Sequence, residues 1–243
     1  AIDMPVFGER ATLTESAAAK ALLWYGKGLF GQMLCDHSAA LTYLASRPDV
    51  DATRIGAFGI SMGCTLSYWL AAMDERIKAV AHLCCFADLR KMIELGNHDG
   101  HGVYLIVPGL LNEADAGAIG ALVAPRPQLI CIGEADGLTP PAAVALAWEE
   151  TSAAYAAAPD RLQLVSEPGV KHQETPRMRE ARPAIPSAPS AWVTKRTPWR
   201  VKASRIASTF SSRTARGPGN STRRTVENDT PDASASSSAV QPR

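Results

Sequence analysis

The 243-residue sequence contains no run of apolar residues that approaches the about 18 needed for a transmembrane helix. Its first residues also lack the basic and apolar regions that mark a secretory signal peptide. It is not a strongly polar chain either, because 46% of its residues are hydrophobic and 20% are charged. These absences exclude a membrane-spanning helix, predict no membrane partner and favour a globular protein.

Cysteine is scarce and irregularly spaced. The five cysteines are an odd number and form no pair of C-x-x-C motifs, so neither a disulfide framework nor a zinc ribbon is supported. Small buried thiols in a reducing compartment are the expected reading, which predicts a cytoplasmic protein. His98 and His101 have metal-binding side chains, but an isolated H-x-x-H in a glycine-rich stretch is typical of a solvated loop. We therefore predict no metal and no cofactor.

The net charge of +1 conceals a division of the chain. Residues 183–243 have a net charge of +7 and contain 11 Ser and 7 Pro, whereas residues 1–182 have a net charge of −6. Apolar residues are so sparse after residue 182 that burial cannot offset chain entropy, and a disordered basic tail is predicted there. Because no folded nucleic-acid-binding motif stands beside this tail, we expect no nucleic-acid partner.

Residues 1–182 alternate between apolar runs and helical periodicity. The apolar runs predict strands at 1–4, 54–60, 77–86, 125–132 and 161–165. The helical patterns cover 15–47 (two helices, divided at Gly26, Gly28 and Gly31), 62–73, 141–157 and 174–182, where a last helix starts. Such alternation predicts an α/β fold with a mostly parallel sheet flanked by helices. Residues 87–123 are interpreted as an excursion over the top of that sheet.

One motif predicts a catalytic residue. The run Gly59-Ile60-Ser61-Met62-Gly63 matches G-x-S-x-G between a predicted strand and a predicted helix, the context of a nucleophile elbow. A strained turn there would raise the Ser61 hydroxyl above the sheet edge. Gly59 and Gly63 are expected because a Cβ at either position would clash with the neighbouring strand or helix. The alternative is that Ser61 is an ordinary turn serine.

A serine hydroxyl is a poor nucleophile without a base and an orienting acid. In this architecture these groups follow in the order Ser, Asp or Glu, then His. Asp136 follows the predicted strand that ends at 132, and Glu134 is a rival nearer to the strand. His172 is the only histidine after Asp136. The alternatives are an N-cap role for Asp136 at the helix after Pro140 and a surface-loop role for His172.

Four segments together resemble the α/β-hydrolase superfamily, and within it the dienelactone hydrolase-like and acetyl xylan esterase-like serine esterases. They are Ile2-Asp3-Met4-Pro5, residues 54–63, residues 133–141 and His172-Gln173-Glu174-Thr175-Pro176. The resemblance covers about residues 1–182, which it implies are a partial catalytic domain. Dienelactone hydrolases have a cysteine nucleophile, so Ser61 favours ordinary ester hydrolysis of a small-molecule substrate.

The resemblance implies a catalytic triad of Ser61, Asp136 and His172 that works through an acyl-enzyme. Ser61 would attack the ester carbonyl, His172 would accept and return the proton, and Asp136 would orient the imidazole. The backbone N–H of Met62 would stabilise the oxyanion.

Two departures from the family pattern give an expectation about the chain's extent. Family members have strands ahead of residue 2, one of which leads to a second oxyanion donor, and a longer helix after the histidine. We therefore expect an N-terminally incomplete hydrolase domain. A prolyl-oligopeptidase-type serine peptidase and a catalytically inactive hydrolase fragment remain the alternative functions.

Overall fold

Four parallel strands form the sheet of this protein. A computed structural model describes residues 2–181, so the predicted tail at 183–243 lies outside the described residues. The strands lie side by side in chain order: β1 (Ile55–Ile60), β2 (Ile77–Leu83), β3 (Gln128–Gly133) and β4 (Leu162–Glu167). Every pairing between neighbours is parallel. The predicted α/β fold is confirmed.

Helices separate the strands. They are α1 (Glu15–Trp24), α2 (Leu29–Ala45), α3 (Met62–Met73), α4 (Leu89–Leu95), α5 (Leu110–Glu113), α6 (Ala116–Ala121), α7 (Pro141–Ala154) and α8 (Pro176–Ala181). The predicted division between α1 and α2 occurs at Gly26 and Gly28, whereas Gly31 lies inside α2. Among residues 2–181, no helix combines the length and the apolar character needed to cross a membrane.

The central strands β2 and β3 are almost wholly buried. All six residues of β3 are buried, and so are all of β2 except Lys78. Such continuous apolar runs are typical of parallel strands that are covered on both faces. The register pairs Ile60 with Leu83 and Leu83 with Cys131, so the carboxyl ends of β1, β2 and β3 meet at one edge of the sheet.

The strand predicted at residues 1–4 is wrong for the described residues 2–4, which are irregular. Met4 is buried, at 7% exposure, but its carbonyl accepts a turn hydrogen bond from Phe7 N at 3.0 Å. The Asp3 carboxylate accepts a second bond from Glu9 N at 3.0 Å. These local bonds turn the chain into a short 3₁₀ helix at Gly8–Arg10 instead of extending a ladder.

Short helices and turns fill the long connection between β2 and β3, and one buried carboxylate joins the start of α4 to the start of α6. Asp115 is 3% exposed. Its Oδ1 accepts from Leu89 N at 2.7 Å and from Ala116 N at 2.6 Å, and its Oδ2 accepts from Arg90 N at 3.1 Å. The same side chain therefore satisfies the N-terminal N–H groups of α4 and of α6.

A neutral histidine lies inside the sheet. His82 is fully buried, and its Nε2 lies 3.0 Å from the Gln128 amide nitrogen, which donates to it. The Gln128 carbonyl in turn accepts from the Tyr155 hydroxyl at 3.1 Å. Burial lowers the pKa of His82 to about 3. His82 is therefore packed in the core.

The buried His82 predicts acid sensitivity. In the unfolded chain this histidine has its ordinary pKa near 6.5, whereas in the folded protein its pKa is about 3. As the pH falls below about 6.5, the unfolded chain therefore takes up a proton that the folded protein does not. The resulting loss in the free energy of unfolding is about 2 kcal/mol between pH 6.5 and 5. Urea unfolding at both pH values measures it. The variant His82→Gln should lose correspondingly less over this interval, and an equal loss in both proteins would remove His82 as the cause.

Candidate active site

Ser61 occupies a strained turn between β1 and α3. Its φ of 58° and ψ of −124° place a residue with a Cβ in the left-handed half of backbone space, at a cost of about 1–3 kcal/mol. Hydrogen bonds hold the turn: Ser61 N donates to Leu83 O at 2.9 Å, and Cys64 N donates to Ser61 O at 2.8 Å. Neighbouring structure thus fixes the backbone that presents the hydroxyl, as expected of a nucleophile elbow.

The two glycines of the elbow have different roles. A Cβ on Gly59 would lie 1.9 Å from the Gly63 carbonyl oxygen and 2.7 Å from Ser67 Oγ. That carbonyl is held in place because Ser67 Oγ donates to it at 2.6 Å. A Cβ on Gly63 would meet no atom within 4 Å. The clash expected at Gly63 is therefore not found, and the close approach is required only of Gly59.

Asp136 and His172 are brought into direct contact. The Nδ1–H of His172 donates to Asp136 Oδ2 at 2.7 Å. The other carboxylate oxygen accepts from Leu138 N at 2.9 Å, and the Asp136 side chain is 1% exposed. The loops that carry the two residues are joined as well, since Ala135 N donates to Val170 O at 2.9 Å. The carboxylate therefore fixes both the orientation and the tautomer of the imidazole.

The alternatives to Asp136 as the acid are Glu134 in its place and an N-cap role for Asp136 itself. Glu134 is exposed and accepts from Ser166 Oγ at 2.8 Å, away from the histidine. The N-cap residue of α7 is Pro140, and no side chain caps that helix. Asp136 therefore does not serve as the N-cap of α7, and its Oδ2 is directed to His172.

His172 Nε2 is the free atom of the pair. It is buried and has no hydrogen-bond partner among the described residues, the Ser61 hydroxyl included. The structure thus joins Asp136 to His172 and leaves Ser61 unbonded to them. Hydrogen bonds of this kind are often long or absent without substrate and tighten when it binds.

The Met62 N–H lies directly after Ser61, at the first position of α3. The first N–H groups of a helix have no partner inside it, and they carry the positive end of the helix dipole. This position suits a group that stabilises negative charge developing next to Ser61.

Cys84 is a site residue that we did not identify from the sequence. It follows β2 directly, with a φ of 59°, and its Sγ donates to Gln173 O at 3.5 Å. Burial and the nearby charge of Asp136 raise the pKa of this thiol to about 11. Its place after a buried parallel strand, at the edge where Ser61 also lies, is the signal that could have revealed it.

His98 and His101 do not form a shared site with a third ligand in the part of the chain that is described. His98 is exposed, and His101 Nε2 donates to the backbone carbonyl of Leu138 at 2.8 Å. His101 is thus a structural contact to the loop of Asp136 rather than a solvated loop residue.

A small cavity lies beside α3, and its lining includes Thr65, Trp69, Leu105 and Thr139. The Thr139 hydroxyl is buried and has no hydrogen-bond partner in the described structure. Trp148 packs against the hydrophobic core and does not line this cavity. Of these two tryptophans, Trp69 is therefore the one with space beside it.

Comparisons with known proteins show what the chain is similar to. Residues 22–106 match the family model described as acetyl xylan esterase (AXE1). The chain is 42% identical over 156 residues to the "Putative hydrolase YtaP" of Bacillus subtilis (strain 168), a stretch that is 64% of this chain and 52% of that protein.

Two solved structures show the same fold. A "putative acetyl xylan esterase" from Bacteroides fragilis NCTC 9343 superposes with a TM-score of 0.58 at 18% identity, over 68% of this chain and 45% of the other. A glucuronoyl esterase from Solibacter usitatus gives 0.51 at 22% identity, over 63% and 47%. This chain therefore spans about half the length of the proteins it matches. The resemblance to acetyl xylan esterase-like α/β-hydrolases is confirmed.

The unequal glycines of the elbow predict unequal effects of the same substitution. Gly59→Ala should lower the free energy of unfolding by about 1–3 kcal/mol or more, because the strand must move from the Gly63 carbonyl. Gly63→Ala, the matched control, should be neutral or stabilise by up to about 1 kcal/mol through helix propensity. Thermal or urea unfolding of both variants measures the difference. Equal losses would show that the Gly59 contact does not control the turn.

Proposed function

We propose that this protein is a serine hydrolase that cleaves carboxylic esters through Ser61, His172 and Asp136. The observation that carries the proposal is the 2.7 Å bond from His172 to the buried Asp136. The pair lies on the loops that follow β4 and β3, and the strained Ser61 follows β1 in the same sheet. The matches to acetyl xylan esterases and to a named hydrolase support this class of reaction.

In the proposed mechanism, Ser61 Oγ attacks the ester carbonyl carbon while its proton passes to His172 Nε2. Asp136 stabilises the imidazolium that forms, because its Oδ2 already accepts the Nδ1–H. The Met62 N–H donates to the oxyanion. His172 then protonates the leaving alcohol. Water, deprotonated by the same Nε2, releases the carboxylic acid from the acyl-enzyme and restores Ser61.

We infer small-molecule acetyl esters as the first substrate class to test. The match to acetyl xylan esterases covers residues 22–106, which include the elbow around Ser61. The proposed steps use no metal and no cofactor. A cytoplasmic location stays a prediction from the cysteines, all of which are free thiols within the described residues.

Two isosteric substitutions on one loop separate the proposed acid from its rival. Asp136→Asn should lower kcat for p-nitrophenyl acetate by about 10⁴, because the amide no longer holds the required imidazole tautomer. Glu134→Gln removes a carboxylate that is exposed and bonded to Ser166. It should change the activation free energy by no more than about 0.5 kcal/mol, which is about twofold in kcat. A similar loss in both variants would contradict the assignment of Asp136.

A fluorophosphonate probe tests the nucleophile itself and the alternative of an inactive hydrolase fragment. The protein should be labelled at Ser61, with labelling abolished in Ser61→Ala and retained in Ser152→Ala, which alters a serine on α7 bonded only to Glu149 O. Mass spectrometry of the labelled peptide identifies the site. An unlabelled wild-type chain would indicate the inactive alternative. Faster cleavage of a prolyl peptide than of p-nitrophenyl acetate would favour the peptidase.

A further inference from the structure

Three side chains from different loops place potential metal ligands close together. One ligand atom each from Cys84, Asp136 and His172 lies within 4.8 Å of the other two. Cys84 and Asp136 are buried, and His172 is partly exposed. The His172 side chain, 29% exposed, is thus the member of the group that borders solvent.

The donor types are those of a zinc site. Thiolate sulfur, imidazole nitrogen and carboxylate oxygen bind Zn²⁺ at about 2.0–2.3 Å, in four-coordinate sites that can keep one position for water. A bound Zn²⁺ displaces the proton of a coordinating thiol outright. The Cys84 thiolate and the Asp136 carboxylate would together balance the two charges of the ion.

The histidine of the group also has a ring nitrogen without a partner. His172 Nε2 is buried without a hydrogen bond, a state that normally costs free energy. The Cys84 thiol has only a long contact, at 3.5 Å, to Gln173 O. An ion bound through Nε2 and the thiol therefore displaces only this long contact, whereas an ion bound through Nδ1 must replace the 2.7 Å bond to Asp136.

We propose that Cys84, Asp136 and His172 form an inhibitory Zn²⁺ site. The inhibition rests on the proposed function, since catalysis needs both ring nitrogens of His172. Coordination through Nε2 removes the lone pair that accepts the serine proton. Coordination through Nδ1 instead breaks the bond to Asp136. The metal-bound protein and the working triad are therefore mutually exclusive states.

Binding can be measured without any activity. After EDTA treatment and its removal, titration of the full chain with Co²⁺ should produce the near-ultraviolet charge-transfer absorption of a thiolate–cobalt bond. Zn²⁺ should displace the Co²⁺ and abolish the signal. Cys84→Ser should lose the absorption, whereas Cys85→Ser should retain it. Cys85 is the matched control because it is the adjacent buried cysteine, with its sulfur 3.9 Å from His101 Nδ1.

Inhibition is then measured with p-nitrophenyl acetate, each protein relative to its own metal-free rate. Zn²⁺ should inhibit the wild type and Cys85→Ser alike. The inhibitory concentration for Cys84→Ser should rise by at least the about 10–100-fold that loss of a mere outer-shell partner costs. Circular dichroism of each variant confirms that it folds.

The outcomes separate the two proposals. A wild-type chain without thiolate–cobalt absorption, or one whose absorption is lost in Cys85→Ser instead, would overturn the site. Zn²⁺ inhibition that is unchanged in Cys84→Ser would do the same. A chain that shows the Cys84-dependent absorption but hydrolyses no ester would refute the proposed function and leave the metal site standing.

Discussion

The close approach of the Gly59 backbone to the Gly63 carbonyl is the constraint on which the site depends. A Cβ at Gly59 would lie 1.9 Å from that carbonyl oxygen, so strand and helix can be this near only with glycine there. Their closeness leaves a single residue, Ser61, to reverse the chain direction, and its φ of 58° is the result. The first turn of α3 is thereby aimed at the edge of the sheet where Ser61 lies.

Parallel pairing accounts for the rest of the site's assembly. Strands that run in one direction end at one edge, and the register places Ile60, Leu83 and Cys131 side by side. The residues just beyond them come from distant parts of the sequence but converge in space. The hydrogen bond from Ala135 N to Val170 O then joins the loops of Asp136 and His172. The acid–base pair is thus a product of sheet topology and of one backbone bond.

Sequence reasoning succeeded where local chemistry specifies structure. The predicted helix at 62–73 matches α3 to the residue, because a strand, the elbow motif and an apolar helical pattern follow one another directly. The prediction was wrong at residues 2–4. The apolar Ile2 and Met4 suggested a strand, but the turn hydrogen bonds accepted by Asp3 and Met4 form instead.

The position of Cys84 beside Asp136 and His172 could not be predicted from the sequence. A cysteine at the end of a strand looks like any buried thiol, and its position beside Asp136 and His172 depends on where three separate loops meet. The role of Gly63 was likewise misjudged, since the motif shows two glycines but not which of them meets the other's backbone. Both features require tertiary coordinates.

The hydrogen bonds of Asp115 tie together two points in the connection between β2 and β3, and the residues between these points form its interior. Because one carboxylate binds the N–H groups of Leu89, Arg90 and Ala116, the two ends of the span from 89 to 116 are tied together independently of what lies between them. The interior can therefore change in length or composition while the starts of α4 and α6 stay tied together. This segment supplies Leu105 and His101 to the cavity beside Trp69. New loops grafted between the starts of α4 and α6 would reshape that cavity, provided that His101 keeps its bond to the Leu138 carbonyl.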